Sequence, residues 1–196
     1  MSTFRIVGRC IADPPPVDWH ARLCMRLGIK PRRIGTWAEL GLYGALECLA
    51  DADETKLSEQ ANLILSSRHG PVSALRRAVE QANEDLPMPL TFLQTQPSQL
   101  LATLAQSMRW RGDARFITHD DPCALLRLAA VQNYRDGVLL GWVEESAAGS
   151  SVWLRLMPCV EPPGALWKID SLEQHLAKAG YLRITPTEVS GLPPLS

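Results

Sequence analysis

The chain has 196 residues, of which 46% are hydrophobic and 21% charged, and its formal net charge is −1. This size favours one domain with a substantial core, and the near-neutral charge gives no reason to expect nucleic acid or an anionic membrane as the main partner. No apolar run reaches the roughly 18 residues needed to span a bilayer, and the N-terminus lacks a signal-peptide pattern. We therefore expect a soluble cytoplasmic protein.

The five cysteines are odd in number, widely spaced and free of any CxxC pair. Such spacing argues against both a disulfide framework and a structural zinc site. We expect no metal and no cofactor, and we expect most of the cysteines to be buried as small apolar side chains.

The first half of the chain predicts a strand, a buried helix and a second strand. Residues 4–11 are rich in β-branched and apolar side chains, which favours a strand that the prolines at 14–16 end. T-W-A-E at 36–39 predicts a capping box, and the helix to about Ala50 is apolar on almost every side, which indicates a central position between layers. NLILS at 62–66 is typical of a strand covered on both faces.

The second half continues this alternation. Residues 71–84 predict an amphipathic helix, 86–97 an extended connection with three prolines, and Pro97 opens a helix to about Arg109. Residues 115–118 predict a short strand, followed by a helix to about Tyr134 that Pro122 begins. Residues 137–143 and 151–157 predict a hairpin, and 181–184 an edge strand after a short helix capped by Asp170 and ending at Gly180. The fold class expected is α/β, with helices on both faces of a mixed, mostly parallel sheet.

The turn between the short strand and its helix carries the residues most suited to chemistry. It offers His119, Asp120, Asp121 and Cys123 at a helix N-terminus. Asp121 suits an N-cap, and Cys123 reads more simply as a buried side chain than as a nucleophile, because the sequence places no histidine and acid to activate it. A metal site is disfavoured because four candidate ligands within five residues seldom converge on one ion.

Several segments together resemble the N-terminal half of the β-ketoacyl synthases, which have the thiolase fold. They are RRIGTWAELGLYGALECL at 32–49, LILSSRHGP at 63–71, TFLQTQPSQLLATLA at 91–105 and GDARFIT at 112–118 with the helix after it. The resemblance covers about residues 1–160. It implies a layered αβα thiolase-like half-fold as a single domain over 1–196, in which 160–196 form a divergent C-terminal extension.

The resemblance implies a subunit without catalysis. Ketosynthases carry a catalytic cysteine in this turn, but here T-H-D-D-P-C places Asp121 at that position and Cys123 two residues later. The activating histidines of the family come from a C-terminal half that this chain lacks. Short ketosynthase-like proteins of bacterial aryl polyene and related polyketide pathways look like chain-length factors, and such a protein is expected to form a heterodimer with a full-length β-ketoacyl synthase and to shape its acyl tunnel.

The same resemblance implies interface and tunnel residues. In the thiolase fold the strand before the turn pairs across a dimer axis, so Phe116 is expected near a partner's pocket and Arg115 opposite an acidic group. An uncovered edge strand by itself invites pairing. The expected interface residues are Ala114, Arg115, Phe116, Ile117 and Thr118. The candidates for the acyl tunnel are Thr95, Gln96, Ser98 and Phe116, although such residues also serve as helix caps.

Four further expectations stay open at this point. An acyl carrier protein is a candidate partner, because four arginines could contact its acidic surface, although the simpler explanation is that they lie on an ordinary solvated surface. These arginines are Arg76, Arg77, Arg109 and Arg111. The rival function is a stand-alone acyl transferase or thioesterase that uses Cys123 with His119 as its base. A homodimer that binds an acyl group is a third possibility. Half a thiolase fold would also leave part of the central helix uncovered unless 160–196 or a partner covers it, and we expect both to contribute.

Overall fold

The computed structural model describes residues 2–86, 88–131, 135–145, 148–159 and 181–184. Its helices are α1 (Trp19–Leu27), α2 (Thr36–Asp51), α3 (Val72–Asn83), α4 (Pro89–Gln94), α5 (Pro97–Met108) and α6 (Pro122–Val131). Its strands are β1 (Ser2–Ala12), β2 (Asn62–Ser67), β3 (Ala114–Thr118), β4 (Val138–Glu144), β5 (Ser150–Cys159) and β6 (Tyr181–Ile184). None of these helices is long and apolar enough to cross a membrane.

The six strands form one mixed sheet in the order β3-β2-β4-β5-β1-β6. β2 pairs parallel with both β3 and β4, whereas β4–β5, β5–β1 and β1–β6 are antiparallel pairs. The mixed sheet is confirmed, and β1 to β4 all run in the same direction. The expectation of a mostly parallel sheet holds for the direction of most strands but not for their pairing. β5 folds back on β4 as its hairpin partner and lies between β4 and β1, so that most neighbouring strands are antiparallel.

One face of the sheet is covered by α2, which has α1 and α5 packed against it. Ten residues of α2 are buried, as the apolar composition of the helix predicts. Within this layer the indole Nε1 of Trp37 donates a hydrogen bond to the Val143 carbonyl oxygen at 3.0 Å. Among the described residues, α1 and α5 supply the outer layer of this helix, and a further cover from 160–196 or from a partner stays a prediction.

The opposite face of the sheet is covered by α6. Leu125, Leu126 and Ala129 are buried there against side chains of four strands. Those strand residues are Phe4, Ile6, Ile64, Val138, Leu140, Leu154 and Leu156. The α/β class with helices on both faces is therefore confirmed.

Two local predictions are wrong. The N-cap of α2 is Gly35, and Thr36 is already the first helical residue, so no side-chain capping bond forms and the predicted capping box is absent. The connection expected to be extended contains α4, whose first residue is Pro89. Proline is tolerated at that position because its fixed φ suits a helix and the backbone N–H it lacks would be unpaired there.

The C-terminal part of the chain is only partly described. β6 pairs antiparallel with β1 along the sheet edge, so the predicted last edge strand is confirmed. The predicted helix from Asp170 to Gly180, the end of α6 near Tyr134 and most of the 160–196 extension lie outside the described residues.

Candidate functional site

The strand β3 forms one edge of the sheet, next to β2. Two backbone hydrogen bonds outside the strand bounds fix which of its groups face β2. The Leu63 N–H donates to the Asp113 carbonyl oxygen at 2.9 Å, and the His119 N–H donates to the Ser67 carbonyl oxygen at 3.4 Å. In a parallel ladder, alternate residues of a strand bond to the same neighbour.

Arg115 and Ile117 therefore direct their backbone groups toward β2. The N–H and C=O groups of Ala114, Phe116 and Thr118 point away from it, and no strand in the described part of the chain pairs with them. This row of backbone donors and acceptors is the main feature of the candidate site, because an unpaired sheet edge is a template for a strand from another chain.

The side chains of β3 are divided between the two faces of the sheet. Ala114 and Phe116 pack against the core beneath α2, and Ile117 packs against the core beneath α6. The Phe116 ring meets the Trp37 indole edge to face. Arg115 Nη2 lies 2.6 Å from the Asp113 carboxylate. The residues expected to face a partner thus have internal contacts as well, and their role at an interface stays a prediction.

The helices that lead from β2 to β3 expose an unusual number of apolar side chains. Ala74 is the one residue of α3 described as buried, and α4 has none. α3 packs chiefly against α4. We call the exposed set the α3–α4 apolar surface: Leu75 52%, Val79 52%, Leu86 64%, Met88 55%, Leu90 40%, Phe92 62% and Leu93 48% exposed. Exposed apolar clusters of this kind mark interaction sites more often than isolated side chains do.

The tunnel candidates on the α4–α5 corner are close neighbours in space. The Thr95 hydroxyl donates to the Phe92 carbonyl oxygen at 2.7 Å, and the Gln96 side-chain amide donates to the Thr95 hydroxyl at 3.0 Å. Gln96 is the N-cap residue of α5, and Ser98 is exposed in its first turn. These contacts describe local capping of the corner, while Phe116, the fourth candidate, lies on β3.

The turn after β3 is organised by hydrogen bonds within it. His119 Nδ1 accepts a hydrogen bond from the Asp121 N–H at 2.8 Å, and the Asp121 carboxylate lies 2.5 Å from Arg127 Nη2. Cys123 lies in the first turn of α6, and its side chain is outside the described part. Because His119 Nδ1 accepts this hydrogen bond, the neutral ring carries its proton on Nε2, and neither nitrogen of His119 keeps a free lone pair for base chemistry. The Asp121 carboxylate is paired with Arg127 of the helix that follows it.

Residues from the ends of β2 and β4 complete this edge. Arg68 Nη2 donates to the Asp120 carbonyl oxygen at 3.0 Å, and His69 Nδ1 lies 3.5 Å from Glu144 Oε2. Sequence reasoning did not include Glu144, because only the parallel pairing of β2 with β4 places it beside His69. Among the described residues, no three His, Cys, Asp or Glu side chains are arranged to hold a metal ion.

The four arginines considered for a carrier protein belong to two places in the fold. Arg76 and Arg77 are exposed in the first half of α3, which follows the carboxyl end of β2. Arg109 and Arg111 are exposed after α5, before the amino end of β3. In the chain, one pair therefore comes after the carboxyl end of a parallel strand, and the other pair comes before the amino end of one.

The chain has an α/β fold with a buried central helix on one face of a mixed sheet and a further helix on the other face after an edge strand. Solved structures share this fold: a chain of the ketosynthase in complex with its chain length factor from Xenorhabdus doucetiae aligns with a TM-score of 0.58 and 14% identity, over 80% of this chain and 79% of that one. The chain matches no known family profile and no curated protein.

Two further complexes share the fold. The ishigamide ketosynthase/chain length factor aligns with a TM-score of 0.58 and 13% identity, over 80% of this chain and 58% of that one. A type II polyketide synthase acyl carrier protein in complex with its ketosynthase aligns with a TM-score of 0.57 and 11% identity, over 81% and 63%. The chain thus spans less than two thirds of the length of these two, and at such identities the likeness is one of fold.

Proposed function

We propose that the chain is a chain-length-factor-like subunit without catalytic activity that forms a heterodimer with a full-length ketosynthase. The observation that carries the proposal is the outer edge of β3, where the backbone groups of Ala114, Phe116 and Thr118 point away from the sheet and no strand among the described residues pairs with them. A partner strand laid along this edge would satisfy those groups and extend the sheet across the interface.

The α3–α4 apolar surface supports the same partner. It belongs to the helices that connect β2 to β3. Within it Phe92 is 62% exposed and Leu93 is 48% exposed. Side chains of this size gain about 1.5–3 kcal/mol each when they are buried fully, so their removal from water would favour association. A partner that contacts the edge strand and this surface together would bury both.

The structural relatives support the choice of partner. Two of the similar structures are complexes of a ketosynthase with a chain length factor, and a third holds an acyl carrier protein. We extend the ketosynthase partner to this chain by analogy, together with a role in aryl polyene, related polyketide or fatty-acid-like biosynthesis and a cytoplasmic location. Arg76 and Arg77 are the candidates for contact with a carrier protein.

The geometry of the turn after β3 supports a subunit without catalysis. Asp121, which falls where ketosynthases place their nucleophile, is paired with Arg127, and His119 already accepts a hydrogen bond at Nδ1. We propose instead that the α4–α5 corner, with Thr95, Gln96 and Ser98, contributes to the wall of the partner's acyl tunnel.

Co-expression with the ketosynthase encoded nearest to the chain tests the proposal. The expected result is a one-to-one complex by light scattering, with product formation unchanged by Cys123→Ala. A monomer or homodimer that ignores the ketosynthase would contradict the proposal. Loss of activity in Cys123→Ala, with the complex intact, would favour the rival acyl transferase or thioesterase that uses Cys123 and His119.

A further inference from the structure

A cysteine, a histidine and a glutamate form a row between α1 and α2. His20 and Cys24 are four residues apart on α1 and share a helix face, and Cys24 Sγ lies 3.9 Å from His20 Nδ1. The other ring nitrogen, Nε2, lies 3.4 Å from Oε2 of Glu39 in the first turn of α2. Thiol, imidazole and carboxylate follow one another in the order that activates a nucleophile.

The row is held in place by aromatic packing. The Trp19 ring lies edge-on to the His20 ring, with centroids 5.5 Å apart, and it contacts the Tyr43 ring of α2 at 5.9 Å. The Glu39 side chain is only 16% exposed. A carboxylate beside Nε2 favours the tautomer with its proton on that nitrogen, which leaves the lone pair of Nδ1 directed to the thiol.

The geometry favours nucleophile activation over metal binding. Cys24 and Glu39 lie at opposite nitrogens of one imidazole ring, so the three side chains cannot converge on a single ion. The row is also accessible, because Cys24 is half-buried and the His20 side chain is 39% exposed. Burial raises the pKa of both the Cys10 and Cys48 thiols, which makes these two thiols poor nucleophiles at neutral pH.

We propose that Cys24 is an acyl-acceptor thiol, with His20 as its general base and Glu39 as the residue that positions the imidazole. The thiol proton passes to His20 Nδ1, and Cys24 Sγ bonds to the carbonyl carbon of an acyl thioester. The carbon–sulfur bond of the donor then breaks, and its thiolate takes the proton from the imidazolium.

A thioester is the donor class whose exchange with a thiol is nearly balanced in free energy, because one thioester replaces another. The acyl transfer ends on Cys24, and it requires no ketosynthase partner.

The test is self-acylation by octanoyl-N-acetylcysteamine, followed by intact mass and peptide mapping of the whole chain. Cys24 is expected to react at least tenfold faster than free N-acetylcysteine at the same pH, and Cys24→Ser to lose that modification. His20→Gly is expected to slow the reaction by about 10²-fold, with recovery on addition of imidazole. Glu39→Ala should slow it less, and Glu39→Gln should restore part of the rate.

Two results would overturn the inference. One is a wild-type rate at Cys24 no greater than that of N-acetylcysteine, which decides the matter even where a variant fails to fold. The other is a His20→Gly chain that keeps its thermal unfolding midpoint and the wild-type rate, since the imidazole would then have no part in the reaction.

Discussion

The ring of Phe116 on β3 meets the indole of Trp37 on α2 edge to face, with centroids 6.0 Å apart and an interplanar angle of 86°. Trp37 is 1% exposed, and its Nε1 is bonded to the Val143 carbonyl oxygen of β4. The edge strand is therefore tied to the central helix and, through it, to the middle of the sheet. A partner at β3 would bind an edge that is already held in place.

Phe116→Leu is expected to lower the free energy of unfolding by about 1 kcal/mol, because the aromatic contact is lost while an apolar side chain remains. Urea denaturation of the chain alone measures it. Association with a ketosynthase should change little, since the backbone groups of β3 are kept. A charge at this position would disturb the fold and the interface together, so it is the poorer probe, and an unchanged unfolding midpoint in Phe116→Leu would contradict the packing described.

Proline substitutions separate the two sides of β3. Thr118→Pro removes an N–H that points away from β2, so the chain should fold normally and lose its partner. Ile117→Pro removes an N–H bonded to β2 and should destabilise the chain itself, by about 3 kcal/mol. Thr118→Val is the matched control, which keeps the N–H and the β-branched shape. Co-purification with the ketosynthase measures the loss of the partner, and thermal unfolding measures the loss of stability. A Thr118→Pro chain that still co-purifies with the ketosynthase would count against pairing through this edge.

The α3–α4 apolar surface is tested by charge. Phe92→Glu with Leu93→Glu should weaken association at least tenfold and leave the unfolding midpoint nearly unchanged, because both side chains are exposed in the chain alone. Val17→Glu, at a position 105% exposed before α1, is the control for added charge on another element. Analytical ultracentrifugation with the ketosynthase gives the affinities. If the double variant and the control bind the ketosynthase with equal affinity, the α3–α4 apolar surface is not part of the interface.

The pKa of Cys10 makes a pH-dependent prediction. Burial, followed by the Glu47 and Asp51 carboxylates, raises this pKa to about 12. Alkylation by iodoacetamide should therefore be about 10²-fold slower at pH 8 than in the urea-unfolded chain, because the smaller thiolate fraction outweighs the higher nucleophilicity of each thiolate. The rate should rise about tenfold per pH unit between pH 8 and 10. Peptide mapping by mass spectrometry measures the alkylation rate of Cys10. A rate that levels off near pH 9 would contradict the raised pKa of this thiol.

The sequence predicted the elements whose signals are local. The apolar character of α2 and of β2 is continuous along the chain, and both lie buried as expected. α1 was not assigned, because Leu23 is its one buried residue and the segment is polar on average. α4 was read as extended because prolines surround it, although Pro89 fits the first helical position.

The candidate sites also divide into one that the sequence predicted and others that depend on contacts between distant parts of the chain. The edge position of β3 follows from the resemblance that the sequence carries, so it was predicted with its residues. The row of Cys24, His20 and Glu39 joins a helix that was not predicted to one that was, and its members are set by packing between helices. His69 and Glu144 are similarly far apart in sequence, and only the order of the strands brings them together.

Amide hydrogen exchange along β3, with and without the ketosynthase, tests the central claim most directly. In the free chain the outward amides of Ala114, Phe116 and Thr118 should exchange fast, while those of Arg115 and Ile117, bonded to β2, should exchange slowly. In the complex the outward amides should be slowed at least tenfold. A stable complex in which they exchange as fast as in the free chain would contradict pairing through β3.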